Sequence, residues 1–156
     1  MDTDEVRDAR SELVASWRSD DGDGIGYLRV RASFDGFAGD GGAWFDGMQV
    51  LEFAGLLMRY PLEAGEPASL SGGLGAGEDF VEAVGLSVAP VGALGQLGCR
   101  VHLRADLADG RRPAVTHEVR LVLLTTYQRL GTFARDLSDL IEGSAEYAVL
   151  GGEVLA

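Results

Sequence analysis

The chain has no lysine and no asparagine, so all thirteen of its cations are arginine. Without lysine there is no Schiff-base nucleophile, no lysine general base and no phosphate-binding Walker lysine. A single cysteine, Cys99, cannot close an internal disulfide. No apolar run approaches the roughly 18 residues that a membrane-spanning helix requires. HExxH, CxxC and HxE…CxxC spacings are all missing, so neither a zinc site nor a zinc deaminase site is expected. No cofactor is expected either. His102 and His117 fall on adjacent expected strands with opposite parity, which places them on opposite faces as structural residues rather than as a ligand pair.

What is abundant is acid. The net charge of the 156 residues is −12, which opposes nucleic-acid binding and repels an anionic membrane surface. It suits a basic partner, or serves solubility alone. Residues 1–24 carry eight acids against three arginines, and residues 35–82 carry nine against Arg59 alone. From 83 onward eight acids meet seven arginines, so the excess lies in the first 82 residues. The acidic opening, Met1-Asp2-Thr3-Asp4-Glu5, is unlike a secretory signal, and a cytoplasmic location is expected. The length fits one domain, 1–156, with 1–24 as an acidic and partly mobile N-terminal segment.

Periodicity sets the elements. Residues 12–18 read as helix or strand, with strand preferred because Leu13, Ala15 and Trp17 share a side. Gly26–Phe34 and Phe37–Phe45 alternate around Asp35-Gly36, the signature of a two-residue type I′ turn. That turn sets Tyr27 opposite Trp44, Arg29 opposite Gly42 and Arg31 opposite Asp40. Leu28, Val30 and Ala32 then face the core. Asp46 with Gln49 reads as a capping box for a helix running to Tyr60 before Pro61. So many of its residues are apolar that it is expected in the core, covered on two sides.

Further strands are expected at Ala68–Gly72, at Phe80–Val88 with a stop at Pro90, at Gly95–Ala105 and at 113–124. Leu97, Cys99, Val101 and Leu103 share parity with Val115, Val119, Leu121 and Leu123. That requires an odd loop, which we centre on Asp109, setting Arg100 opposite Glu118. A second helix over 126–142 is capped by Thr125 with Gln128 and ended by Gly143, and Tyr147–Leu150 adds a short edge strand. The two helices share a motif, Val50, Phe53, Ala54, Leu57 against Leu130, Phe133, Ala134, Leu137. It suggests a degenerate ββα repeat, although the expected caps are offset by 79 residues and the phenylalanines by 80.

Three motif-like stretches are read as bland. Asp21-Gly22-Asp23-Gly24 lacks the first and twelfth ligands of a calcium loop. Gly73-Leu74-Gly75-Ala76-Gly77 is followed by Glu78-Asp79, which would repel phosphate. Around Ser87 the second glycine of a nucleophile elbow is absent. With no triad in view, the chain is read as not an enzyme.

The element order resembles a loose group of small bacterial proteins, some of them immunity proteins of polymorphic toxin systems. The matching features are Asp35-Gly36-Phe37-Ala38-Gly39, Trp44-Phe45, Leu51-Glu52-Phe53-Ala54, Ala68-Ser69-Leu70-Ser71-Gly72 and Thr125-Thr126-Tyr127, across residues 12–142. The resemblance implies a non-enzymatic antiparallel-sheet protein that binds and blocks a cognate toxin, and it transfers no functional residues.

The resulting expectation is an α+β fold. One twisted antiparallel sheet of about six or seven strands carries the 46–60 helix, with the second helix beside or over it. Function is expected to be non-catalytic binding of a basic protein partner. Contacts would come from Glu63, Glu66, Glu78, Asp79 and Glu82, with Tyr27 and Trp44 as aromatic anchors beside Arg29. The alternatives are a small-molecule or regulatory module with its pocket between the sheet and the 46–60 helix, and a self-associating interaction domain.

Overall fold

A computed structural model of the protein describes residues 11–19, 22–94, 96–107 and 115–153. The first ten residues of the expected acidic segment lie outside the described residues. So do Asp20 and Asp21 of the acidic loop, and Asp109.

The fold is α+β. Strands β1 (Glu12–Ser19), β2 (Ile25–Phe34) and β3 (Phe37–Asp46) lead into helix α1 (Gly47–Leu57) and strand β4 (Ala68–Leu74). Strands β5 (Val81–Val91), β6 (Gln96–Leu107) and β7 (Val115–Thr125) lead into α2 (Tyr127–Glu142) and β8 (Ala148–Gly151). The strands make two antiparallel sheets of four, ordered β3-β2-β1-β8 and β4-β5-β6-β7, rather than the one sheet expected. The reason is long-range: β1 pairs with β8 across most of the chain, which closes the first sheet independently of the second.

The β2–β3 hairpin forms as its sequence requires. Asp35 and Gly36 take φ of 42° and 89°, both left-handed as a type I′ turn demands. Tyr27 pairs with Trp44, Arg29 with Gly42 and Arg31 with Asp40. Leu28, Val30 and Ala32 are buried, and β1 confirms the strand reading of 12–18.

Four expectations are corrected. Helix α1 stops at Leu57, where the Met58 N–H donates to the Gly55 carbonyl and the Arg59 N–H to the Leu56 carbonyl, and Pro61 bars its continuation through Tyr60. It is also covered less than expected: Val50, Phe53, Ala54 and Leu57 are buried, whereas Met48 and Met58 face solvent. Pro90 does not stop β5; the strand passes through it opposite Leu97. Its missing N–H is tolerated because β4 pairs no further than Val88, leaving β5 an edge there. In the β6–β7 hairpin the parity holds but the register is shifted by four, so Arg104 faces Glu118 and Arg100 faces Val122. Leu107 pairs with Val115, so the connection is odd, as expected, but centred beyond Asp109.

The fourth correction concerns the α2 cap. Thr126, not Thr125, accepts the Arg129 N–H at 3.2 Å. Thr125 instead ends β7, buried, with its hydroxyl donating to the Gly151 carbonyl at 3.0 Å. Gly143 closes the helix at φ 86° as expected.

Moving the cap to Thr126 brings the repeat into register. Asp46 and Thr126 are then 80 residues apart, as are Phe53 and Phe133. The unit is larger than ββα: β1-β2-β3-α1-β4 is followed by β5-β6-β7-α2-β8, and the two sheet orders are equivalent strand by strand. Each half gives its last strand to the other half's sheet. The pairings equate Leu13 with Val84, Ala15 with Leu86, Leu28 with Cys99, Val30 with Val101 and Ala43 with Leu123. All ten side chains are buried. One apolar cluster runs through both sheets and both helices, and α1 packs against α2.

Candidate partner-binding groove

The outer, solvent-side face of β1–β3 carries the aromatic pair. Tyr27 and Trp44 meet edge to face, with centroids 5.4 Å apart and planes at 65°. Gly42 makes this possible, because a Cβ there would overlap the Tyr27 ring and hydroxyl. Trp44 is 51% exposed, so the pair is not filling for the core. Arg18, paired with Tyr27 across β1–β2, lays its guanidinium over the Tyr27 ring at 5.7 Å. Trp17 does not cover the aromatics; it packs on the other face, against Gly26.

Arg29 forms a two-pronged pair with Asp40, Nε to Oδ1 at 3.0 Å and Nη2 to Oδ2 at 2.6 Å. Hydrogen bonding to Asp40, and then its charge, raises the Arg29 pKa further. The Arg31 Nε is 3.9 Å from the same carboxylate. These residues open onto a groove of about 720 Å³ that crosses the β3 edge. Its far wall is Gly73 and Leu74 of β4, Val81 to Ala83 of β5, and Arg104 of β6.

Glu82 in that wall also belongs to a polar chain across all four strands of the second sheet. Ser71 on β4 donates to the Glu82 carboxylate at 2.5 Å. His102 on β6 places Nδ1 2.7 Å from Glu82 Oε1, and Nε2 2.6 Å from Glu118 Oε1 on β7. Arg120 Nη2 lies 3.0 Å from Glu118. Glu82 reaches the ring by crossing Gly85, where a Cβ would collide with its carboxylate. A neutral imidazole has one N–H and one lone pair, so only a doubly protonated ring donates to both carboxylates at once. Burial opposes ionisation of Glu82, but hydrogen bonds from Ser71 and His102, with the charges of His102 and Arg120, hold its pKa below the ordinary value. Glu118 is also lowered, chiefly by the hydrogen bond from His102, against some desolvation, and with help from Arg120.

Of the residues expected to contact a partner, Tyr27, Arg29, Trp44 and Glu82 share the groove. Glu78 and Asp79 sit on the 3₁₀ turn Gly77–Asp79 joining β4 to β5, beyond the Leu74–Val81 wall. Glu63 and Glu66 bridge one another before the other end of β4 and do not reach the groove. No residue of α1 lines the groove, so it is not the sheet–helix pocket of the small-molecule alternative. His102 and His117 point to opposite faces, as their parity requires: His102 pairs with Arg120, and His117 is exposed opposite Ala105.

Sequence reasoning missed Arg18, Asp40, Ser71, His102 and Glu118. Arg18 could have been found once β1 was set against β2. The His102 chain had no such signal, because Glu82 reaches the ring by crossing Gly85 and the expected β6–β7 register put Arg120 away from it. Among the described residues no cluster of His, Cys, Asp or Glu could hold a metal ion. Cys99 is fully buried, and burial pushes its thiol pKa up to about 12, so it is a core residue rather than a nucleophile. Among the described residues no helix is long and apolar enough to cross a membrane. No family model matches the chain, and neither a curated protein nor a solved structure matches it significantly.

Proposed function

We propose that the chain is a non-catalytic protein-binding domain that captures a basic protein partner, in the manner of an immunity-type inhibitor. The observation that carries this reading is the Tyr27–Trp44 pair, half open to solvent at the mouth of the 720 Å³ groove. The architecture does not require it, since the equivalent positions in the other half are Gly98 and Leu124. Rigid aromatic side chains beside arginine are the groups that most often dominate binding energy at protein interfaces. The acidic excess over residues 35–82, with Glu78 and Asp79 next to the groove wall, supplies the field that steers a cation-rich partner.

The test is a binding measurement against a purified basic protein partner. Trp44→Ala is expected to weaken it about ten-fold or more, mostly through faster dissociation. Reversing Glu63, Glu78 and Asp79 to lysine is expected to slow association and flatten its salt dependence. Affinity unchanged by Trp44→Ala refutes the anchor, and a salt-independent association rate refutes the steering.

The groove volume favours one second reading, because it falls within the range of small-molecule sites. That reading predicts a thermal shift with a metabolite pool and no dependence on a protein partner.

A further inference from the structure

We infer that His102 regulates the groove through Glu82: losing the His102 proton removes the cation that neutralises the Glu82 carboxylate in the groove wall and so strengthens capture of a cationic partner. The inference rests on the groove reading above. Glu82 lines the groove and also the smaller cleft of about 370 Å³ that contains His102. One side chain therefore joins the two places.

The groups facing the ring are Ser71 from β4, Glu82 across Gly85 from β5, and Glu118 and Arg120 from β7. Arg100 and Arg104 flank His102 two residues away on its own strand. With His102 charged, two carboxylates meet two cations and the cluster is neutral. A neutral imidazole offers one donor and one lone pair. One carboxylate then loses its hydrogen bond and faces the lone pair, and the cluster carries one net negative charge. Both carboxylates stay ionised through this step, since the ordinary carboxylate range lies below the pH interval concerned. Glu82 and Asp40 are the two carboxylates among the residues lining the groove. Glu82, without its neutralising neighbour, makes that wall more negative and favours a basic partner. By linkage, a cation bound in the groove also promotes release of the His102 proton.

The His102 side chain is 14% exposed, and Glu82 crosses Gly85, whose Cβ-free position is what lets the carboxylate lie against the ring. The corresponding residues of the first half are Arg31 for His102 and Ala38 for Glu118. The sheet fold alone therefore does not call for this arrangement.

Two measurements test it. In the free protein, two-dimensional NMR between about pH 5.5 and about pH 8 should show the Leu74, Val81 and Ala83 amides moving with a single midpoint. His102→Gln and Glu82→Gln should abolish that movement, and His117→Gln should leave it intact. With hexa-arginine amide as the probe, wild-type affinity should rise about three-fold over the same range, and His102→Gln should be flat. Groove amides that do not move, or that move equally in His102→Gln, overturn the inference. If hexa-arginine binding is indifferent to Trp44→Ala, the groove reading falls instead, while the NMR titration still decides whether His102 acts on the wall.

Discussion

Because each half gives its last strand to the other half's sheet, neither half can unfold while the other stays intact. Phe133→Ala tests this. Phe133 is 1% exposed on α2, in the second half, within the cluster that spans both halves. Truncating a buried phenylalanine removes its burial and leaves a cavity, at a cost of about 3–5 kcal/mol. With a urea m-value of about 2 kcal/mol per molar, the unfolding midpoint should fall by about 1.5–2.5 M. Both tryptophans, Trp17 and Trp44, lie in the first half. Their fluorescence therefore reports on the half that was not mutated, whereas far-ultraviolet circular dichroism averages over both. Strand exchange requires the two probes to shift together and remain superimposable, with m unchanged. If the fluorescence midpoint stays near its wild-type value while the dichroism curve becomes biphasic, the halves are independent and the argument fails.

Three other outcomes are expected. Asp46→Ala and Thr126→Ala each remove a helix cap and should cost about 0.5–2 kcal/mol in chemical denaturation. Thr125→Val, at the residue that the sequence alone nominates as the cap, should instead show the loss of a buried hydrogen bond to Gly151 with α2 helicity unchanged. The lowered pKa values of Glu82 and Glu118 mean that their contacts stabilise the fold above the ordinary carboxylate range, with that contribution lost as pH falls through the folded-state values. Melting temperature should therefore drop less steeply on acidification in Glu82→Gln/Glu118→Gln than in wild type; equal slopes would exclude the contribution. Finally, the Gly152 N–H bonds the Ser11 carbonyl at 2.8 Å. A circular permutant joining Glu153 to Ser11 by a short linker and opened at Ala76 should fold cooperatively, with β8 and β1 now linked as β4 and β5 are.

Legibility followed the range of the interaction. The β2–β3 pairing was readable to the residue because Asp35 and Gly36 supply both positive φ values of a two-residue turn and a one-residue slip would expose Leu28, Val30 and Ala32. In β6–β7 the alternation fixed which side chains face inward, but an odd connection without a tight-turn pair leaves the register free in steps of two. The error of four separated His102 from Arg120, while the Glu82 contact depends on a side chain crossing Gly85, which alternation does not announce. Thr125 and Thr126 both precede a helix, and Gln128 completes an apparent capping box with the wrong one. What decides is that Thr125 still belongs to β7 and needs a buried acceptor, which comes from β8. No local signal announces the β1–β8 and β4–β5 pairings that divide the strands between two sheets, because their stabilisation is tertiary.

The duplicated architecture separates what the fold needs from what it merely carries. At equivalent buried places the halves agree in character: Leu28 and Cys99, Val30 and Val101, Phe53 and Phe133, Leu57 and Leu137 all lie in the common core. At equivalent outer places they diverge. Tyr27 stands where the second half has Gly98, Arg18 where it has Ala89, and Trp44 where it has Leu124. Conversely, His102 and Glu118 stand where the first half has Arg31 and Ala38. Both backbones fold, so neither set can be explained as a requirement of folding. The two sets nevertheless converge, since Glu82 is bonded to His102 and lines the groove that the aromatics open. That groove takes one wall from β1–β3 and the other from β4–β6, so it exists only where the two sheets meet. A cleft at such a junction, specialised on one side by aromatics and on the other by a titratable chain, is where a binding function is most economically placed.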